Sequence, residues 1–164
     1  MKGKINQFLA WAKEKGWKIQ DRTCIDPDFP SNIIARYKKI PDEFIQFISL
    51  VDVCAMPDEK SWFLCISDYS ETSDSAFSWN EYEKMSLEAA KDDCEWKKEI
   101  TEYWDRHLPV ALCVRNDYAY YALDVGADFG AVLYSFEPYF EEGEKVASSF
   151  LEFLDGIMSG KIDF

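Results

Sequence analysis

Carboxylates at short spacing are the side chains of this sequence best placed to do chemistry. Asp92, Asp93 and Glu95 stand together, as do Glu141, Glu142 and Glu144, while Asp124 and Asp128 lie within DVGADFG. Oxygen ligands of this kind can hold a divalent cation. Each group has a plainer use. Asp92 to Glu95 has the spacing of a helix start with Asp92 as cap, the 141–144 run reads as a solvated loop, and DVGADFG departs from the EF-hand pattern. His107, the only histidine, precedes Leu108-Pro109 near a predicted helix end. It reads as a structural residue or C-terminal cap, so no Ser-His-acid set follows. Phosphate-loop, dinucleotide and zinc-protease motifs are absent. The cysteines at 24, 54, 65, 94 and 113 are odd in number, widely spaced and without a C-x-x-C pair. They are expected to be reduced, several of them as small buried hydrophobes. The expectation is a protein with no catalysis, no metal and no cofactor.

The elements that must position these groups follow from periodicity. Ile5, Phe8, Leu9 and Ala12 make a helical stripe that Gly16 stops. Residues 21–32, with Pro27 and Pro30, read as a loop. In IPDEFIQFISL, Pro41 suits a first helical turn, Asp42 and Glu43 suit the positive end of its dipole, and Phe44, Phe47, Ile48 and Val51 supply a buried face. WFLCI at 62–66 reads as a strand closed by polar SDYSETSDS. Two charged helices are predicted over 80–91 and 93–106, with Trp96, Ile100, Tyr103, Trp104 and His107 on one side. Then PVALCVR, AYYALDV (119–125) and AVLYSF (131–136) read as a three-stranded antiparallel meander, set apart by Asn116-Asp117 and Gly126…Gly130. In its middle strand, Tyr118, Tyr120, Ala122 and Asp124 share one face, expected to be half exposed. Ala119, Tyr121, Leu123 and Val125 share the other, expected to be core. EEGEKVASSFLEFLDGIMSG reads as a last amphipathic helix docking on the sheet. The fold class expected is α+β in one domain spanning 1–164: a mainly antiparallel sheet packed with amphipathic helices at both ends and in the middle of the chain.

Charge narrows the class of partner. The 164 residues carry a net charge of −13, and the balance is uneven: residues 1–40 sum to +5 and residues 41–164 to −18. Direct nucleic-acid binding is disfavoured, because phosphate contacts need clustered Lys and Arg. Attraction to a basic protein is favoured. Aromatic residues make up 16% of the chain; they either fill a core or wait at the centre of an interface. The start, MKGKINQFLAWAKEKGW, is interrupted by Lys13, Glu14 and Lys15 and lacks the apolar stretch of a signal peptide. No run reaches membrane-spanning length, so no membrane partner is expected and the cytoplasm is the expected address.

Three stretches carry a family resemblance: IPDEFIQFISL, HLPVALCVRNDYAYYALDV and AVLYSFEPYFEEGEKVASSFLEFLDGI. In order and spacing the chain resembles the SUKH superfamily of small bacterial proteins, related to a yeast cell-wall assembly regulator, most strongly over residues 40–157. Two departures stand out: VDVCAMPDEKS where members often have Asn-Gly-Gly, and Glu137 where a His often follows the last strand. The resemblance implies an immunity protein of a polymorphic toxin system, which binds and neutralises a cognate toxin, often a nuclease. A regulatory or scaffold module is the alternative it leaves, and a small-molecule or metal-dependent enzyme is the reading least favoured. Candidate toxin-binding residues are the acidic and aromatic ones expected at one edge of the sheet. They are Asp68, Tyr69, Glu71 and Asp74 in one loop, Asp117 and Tyr118 at one hairpin, Asp124 and Asp128 at the next, and Glu137, Tyr139, Glu141 and Glu142 before the last helix. Tyr rings would anchor, and carboxylates would pair with Lys or Arg of the toxin.

Overall fold

In the computed structural model, which describes residues 2–23 and 29–164, the stripe Ile5, Phe8, Leu9 and Ala12 is the buried side of the first helix, α1 (Lys2–Glu14). Gly16 turns the chain at φ +79°, a left-handed conformation that glycine adopts without a Cβ clash. Strand β1 (Lys18–Asp21) follows. The middle of the predicted 21–32 loop, with Cys24 and Pro27, lies outside the described residues. Its end, from Ser31, is not loop but a short helix, α2 (Ser31–Arg36). Pro41 precedes α3 (Asp42–Ile48), which buries Phe44, Phe47 and Ile48 as their spacing predicts. Val51 does not extend that helix. It opens β2 (Val51–Ala55), and β3 (Ser61–Phe63) and the short α4 (Ile66–Tyr69) come next.

The predicted helix pair is present as α5 (Glu81–Ala89) and α6 (Cys94–Trp104). The cap of α6 is Asp93 rather than Asp92: its carboxylate accepts from the Trp96 N–H at 3.0 Å. Trp96 itself is exposed, while Ile100 and Trp104 are buried. The predicted meander is β4 (His107–Cys113), β5 (Ala119–Asp124) and β6 (Val132–Phe136). What reads as the front of the last helix is an edge strand, β7 (Glu144–Ala147), and the helix proper is α7 (Phe150–Ser159). Ser149 caps α7 by accepting from the Glu152 N–H at 3.1 Å. The fold is α+β: among the described residues seven strands form one antiparallel sheet whose spatial order, β1 to β7, is the order of the chain.

Both faces of this sheet are covered. On one, Phe63 of β3 meets Phe8, Phe47, Phe150 and Phe153 from α1, α3 and α7, with Phe164 stacked on it at 4.8 Å. Tyr121 joins the same layer against Phe153, at 4.7 Å between ring centroids. On the other face, Tyr120 packs against Trp104 of α6, at 4.8 Å, and Tyr82 of α5, at 6.2 Å. The expectation of a half-exposed Tyr–Tyr–Asp face is therefore corrected. Tyr120 and Ala122 are wholly buried because α5 and α6 lie over them, and only the ends of that row, Tyr118 and Asp124, reach solvent. Each buried ring of this size contributes about 1.5–3 kcal/mol through removal from water, so two full aromatic layers account for the unusual aromatic content.

One ionic clamp joins the second layer to the rest. Arg36 of α2 makes a two-pronged contact with Glu83 of α5, at 2.8 and 2.7 Å, and its Nε donates to Asp105 at the end of α6, at 2.8 Å. Glu83 is buried, and Arg36 is the basic group paired with it. Arg36→Ala, which leaves Glu83 buried without its partner, should lower unfolding stability by about 3 kcal/mol, as breaking a buried pair does, while Lys98→Ala on the exposed α6 surface should change it by less than about 0.5 kcal/mol. Urea unfolding of the two variants reads this difference.

Candidate functional site

Pairing of Ser61 with Cys113 sets the β2–β3 turn (56–60) beside the β4–β5 turn (114–118) at one end of the sheet. The N–H of Val114 donates to the Lys60 carbonyl at 2.7 Å, locking the two turns together. The segment after β6 reaches the same end, where the Glu137 N–H donates to the Tyr118 carbonyl at 2.8 Å. A cis peptide joins Glu137 to Pro138. Asp117, Tyr118, Glu137 and Tyr139 are thus brought together. Tyr118 is 38% exposed, Phe136 40% and Tyr139 52%, with the Phe136 and Tyr139 rings edge to face at 5.9 Å. Exposed rings beside carboxylates make a surface suited to protein contact, because aromatic side chains lose little entropy on docking.

The 66–77 segment contributes differently from what its composition predicts. Tyr69 is not a surface residue: it is 1% exposed, its hydroxyl donates to the Pro109 carbonyl at 2.6 Å, and its ring lies against Phe29 and Trp79. Asp68 caps α4 by accepting from the Cys65 N–H at 2.7 Å. Burial raises the Asp68 carboxyl pKa above its ordinary value, outweighing the hydrogen bonds from Cys65 and Ser73. Glu71 is exposed, in a left-handed turn position at φ 54°. Asp74 is exposed and lines a cavity of about 460 Å³. Val53, Ala55, Trp62, Phe77 and Val114 are among the residues that line that cavity. The Phe77 ring also touches Tyr118, at 5.6 Å, so the cavity adjoins the exposed aromatic end of the sheet.

The remaining candidates do not join this group. Asp124 and Asp128 lie at the opposite end of β5, in the β5–β6 turn. There Asp124 accepts from the Gly126 N–H at 2.6 Å, and Asp128 pairs with Lys145 at 2.7 Å. Glu141 turns inward to accept from the Trp104 indole at 2.8 Å, and Glu142 stays exposed. Sequence reasoning missed Trp62, Phe77 and Phe136. Phe77, a lone aromatic in the polar DSAFS stretch, was the available signal. Trp62 and Phe136 carried none, since each alternates normally within its strand.

His107 does not enter the site. Its Nδ1 lies 2.7 Å from the Tyr103 carbonyl, and its ring packs on Tyr103 at 4.1 Å between centroids. Cys54, Cys65 and Cys113 are buried free thiols, each with its pKa pushed up by burial, in Cys113 to about 11. Cys94 is free and exposed. Among the described residues no group of three or more His, Cys, Asp and Glu is placed to hold a metal ion, and no helix is long and apolar enough to cross a membrane. Neither a protein-family model nor a curated protein matches this chain.

Burial holds the His107 imidazole below its usual pKa, outweighing the Tyr103 carbonyl and Asp124. The folded state thus binds a proton less readily than the unfolded chain. Stability is fully present above the unfolded value of about 6.5 and declines as pH falls through it toward the lower native value. The urea midpoint should drop between pH 7.5 and 5.5, and His107→Gln should flatten that slope. Glu141 and Glu142 give a second test. Glu141→Ala strands the buried Trp104 donor and should cost about 1–3 kcal/mol. Glu142→Ala, one residue away, should cost less than about 0.5 kcal/mol; thermal melts of both distinguish the two roles.

Proposed function

We propose that this chain is a cytoplasmic binding protein, not an enzyme, that neutralises a basic toxin by covering its surface, as the SUKH resemblance implies for an immunity protein. The observation that carries the reading is the gathering of Asp117, Tyr118, Glu137 and Tyr139, with the exposed Phe136, at one end of the sheet. Aromatic rings there supply contact area, and the carboxylates supply the complement to Lys and Arg. The net charge of −13 adds a long-range term: a basic nuclease surface is drawn in faster, and the attraction weakens with salt. A surface that grips phosphates is the kind an acidic protein can occlude. Tyr69, Asp124, Asp128 and Glu141 have structural work and are left out of the proposed contact set.

Co-expression with the toxic domain encoded beside its gene tests this. The native chain should restore growth and co-purify with that domain, with the complex dissociating in high salt. The triple variant Asp117→Lys, Glu137→Lys, Tyr139→Ala should melt within a few degrees of the native protein. It should bind at least about tenfold more weakly, since each 1.4 kcal/mol lost is tenfold. Absence of protection, with capture of a housekeeping complex instead, would move the assignment to a regulatory scaffold.

A further inference from the structure

The cavity bordered by Trp62, Phe77 and Asp74 has an unbalanced chemistry. Four carboxylates, Asp52, Glu59, Asp68 and Asp74, line it against a single basic group, Lys18. Two are already paired, Asp52 with Arg22 at 2.8 Å and Glu59 with Lys18. Asp68 and Asp74 have no basic partner among the described residues. Between them the surface is apolar and aromatic: Val53 is 40% exposed although it belongs to a strand interior, and the Trp62 and Phe77 rings sit 6.0 Å apart at 49°. A volume of about 460 Å³ falls within the roughly 300–1,000 Å³ of ligand-sized cavities.

This combination selects among occupants. Acidic walls repel phosphate and carboxylate ligands. A purely apolar group would strip water from the exposed Asp74 with no charge to replace it. It would also deepen the desolvation of Asp68, whose acceptors are met, among the described residues, only by Cys65 and Ser73. A long apolar stem carrying a delocalised cation satisfies both halves at once: the stem covers Val53 and Ala55, and the planar head lies against an aromatic ring while donating to carboxylates. Guanidinium fits better than ammonium, because it is planar, weakly hydrated and donates in a fork.

We propose that this cavity receives an arginine side chain from a basic protein partner, and that it is the specificity pocket beside the exposed aromatic end of the sheet. The inference rests on the partner-binding reading above and names what that partner must present. The contact between Phe77 and Tyr118 makes the pocket continuous with Asp117, Glu137 and Tyr139, so one partner surface would span both. A partner lacking an arginine at that place would leave two carboxylates desolvated and unpaired, which is how such a pocket would discriminate between related toxins.

The test uses the isolated protein and capped tripeptides, Gly-Arg-Gly, Gly-Lys-Gly and Gly-citrulline-Gly, with agmatine as a free guanidine. Chemical shifts of the Trp62 indole N–H and the Val53, Ala55 and Phe77 amides report on the cavity. The arginine peptide should shift these signals saturably, and citrulline, equal in shape but uncharged, should bind at least about tenfold more weakly. Asp74→Asn should weaken the arginine peptide about threefold to fivefold, the range of a partly exposed ion pair. Asp68→Asn, which keeps the α4 cap acceptor, should weaken it further. Absence of saturable shifts at these positions, or equal binding of citrulline, would overturn the proposal. Agmatine binding at least tenfold more tightly than the peptide would reassign the cavity to a small guanidine and overturn it as well. A responsive cavity in a protein that fails to protect against toxin would strike the neutralisation reading alone. Protection with a silent cavity would strike this inference alone.

Discussion

A tyrosine hydroxyl cannot be buried without an acceptor, and β5 buries two in succession. Because neighbouring residues of a strand point to opposite faces, Tyr120 and Tyr121 send their hydroxyls into different layers. The Tyr120 hydroxyl donates to the Phe140 carbonyl and lies 2.7 Å from the Tyr103 hydroxyl. The Tyr121 hydroxyl donates to the Asp163 carbonyl. An unsatisfied hydroxyl at either place would cost about 1–3 kcal/mol. The strand at the centre of the sheet therefore dictates where two irregular segments must run. One is the 137–143 segment that carries Glu137 and Tyr139; the other is the final stretch that seats Phe164 against Phe63. Burial raises the Tyr120 and Tyr121 pKa values, so both hydroxyls remain protonated donors.

Long amphipathic patterns were legible in the sequence, and short or edge elements were not. α1 and α3 follow directly from apolar spacing, and the meander from turn residues between aromatic runs. Val51 stands three and four residues after Ile48 and Phe47, in phase with the helix, so periodicity alone does not reveal that the chain has already turned into β2. β7, with the sequence EKVA, has weak strand propensity and exists because β6 offers a partner, an effect of tertiary context. The adjacent Asp92 and Asp93 are equivalent as caps by type, and only the entry path of the chain chooses between them. In α4, the apolar run WFLCI ends as strand at Phe63 because Asp68 captures the Cys65 N–H and starts a helical turn.

The candidate site was legible in its chemistry and not in its membership. Acidic and aromatic residues at hairpins are visible in any sequence. Which of them face outward depends on whether the fold has already spent them: Tyr69 on Pro109, Glu141 on Trp104, Asp124 on its own turn, Asp128 on Lys145. The cavity was invisible for the converse reason. Val53 belongs to β2, Trp62 to β3, and Asp74 and Phe77 to the segment before α5, and only the pairing of β2 with β3 and the path of residues 73–77 assemble them. The basic residues are similarly committed: Lys13, Arg22, Arg36 and Lys145 are all in ion pairs. The acidic excess that remains at the surface is therefore free to act at a distance.

Strand order that repeats chain order has a kinetic meaning. Bringing two segments together costs entropy that grows with the length of chain between them, and chains rich in near-neighbour contacts fold fast. Within β4–β5–β6 each pairing spans one short turn, and β2–β3 does likewise, so these hairpins can form early and independently. The expensive closure is that of β3 on β4, across residues 64–106, which contain α4, α5 and α6. That single step joins the two halves of the sheet, and it is also the step that sets the two turns at the sheet's end side by side. The rim of Asp117, Tyr118, Glu137 and Tyr139 lies wholly within the β4–β6 half and needs no such closure. The cavity beside it, which takes Val114 from that half and Val53 and Trp62 from the other, exists only once the halves have met.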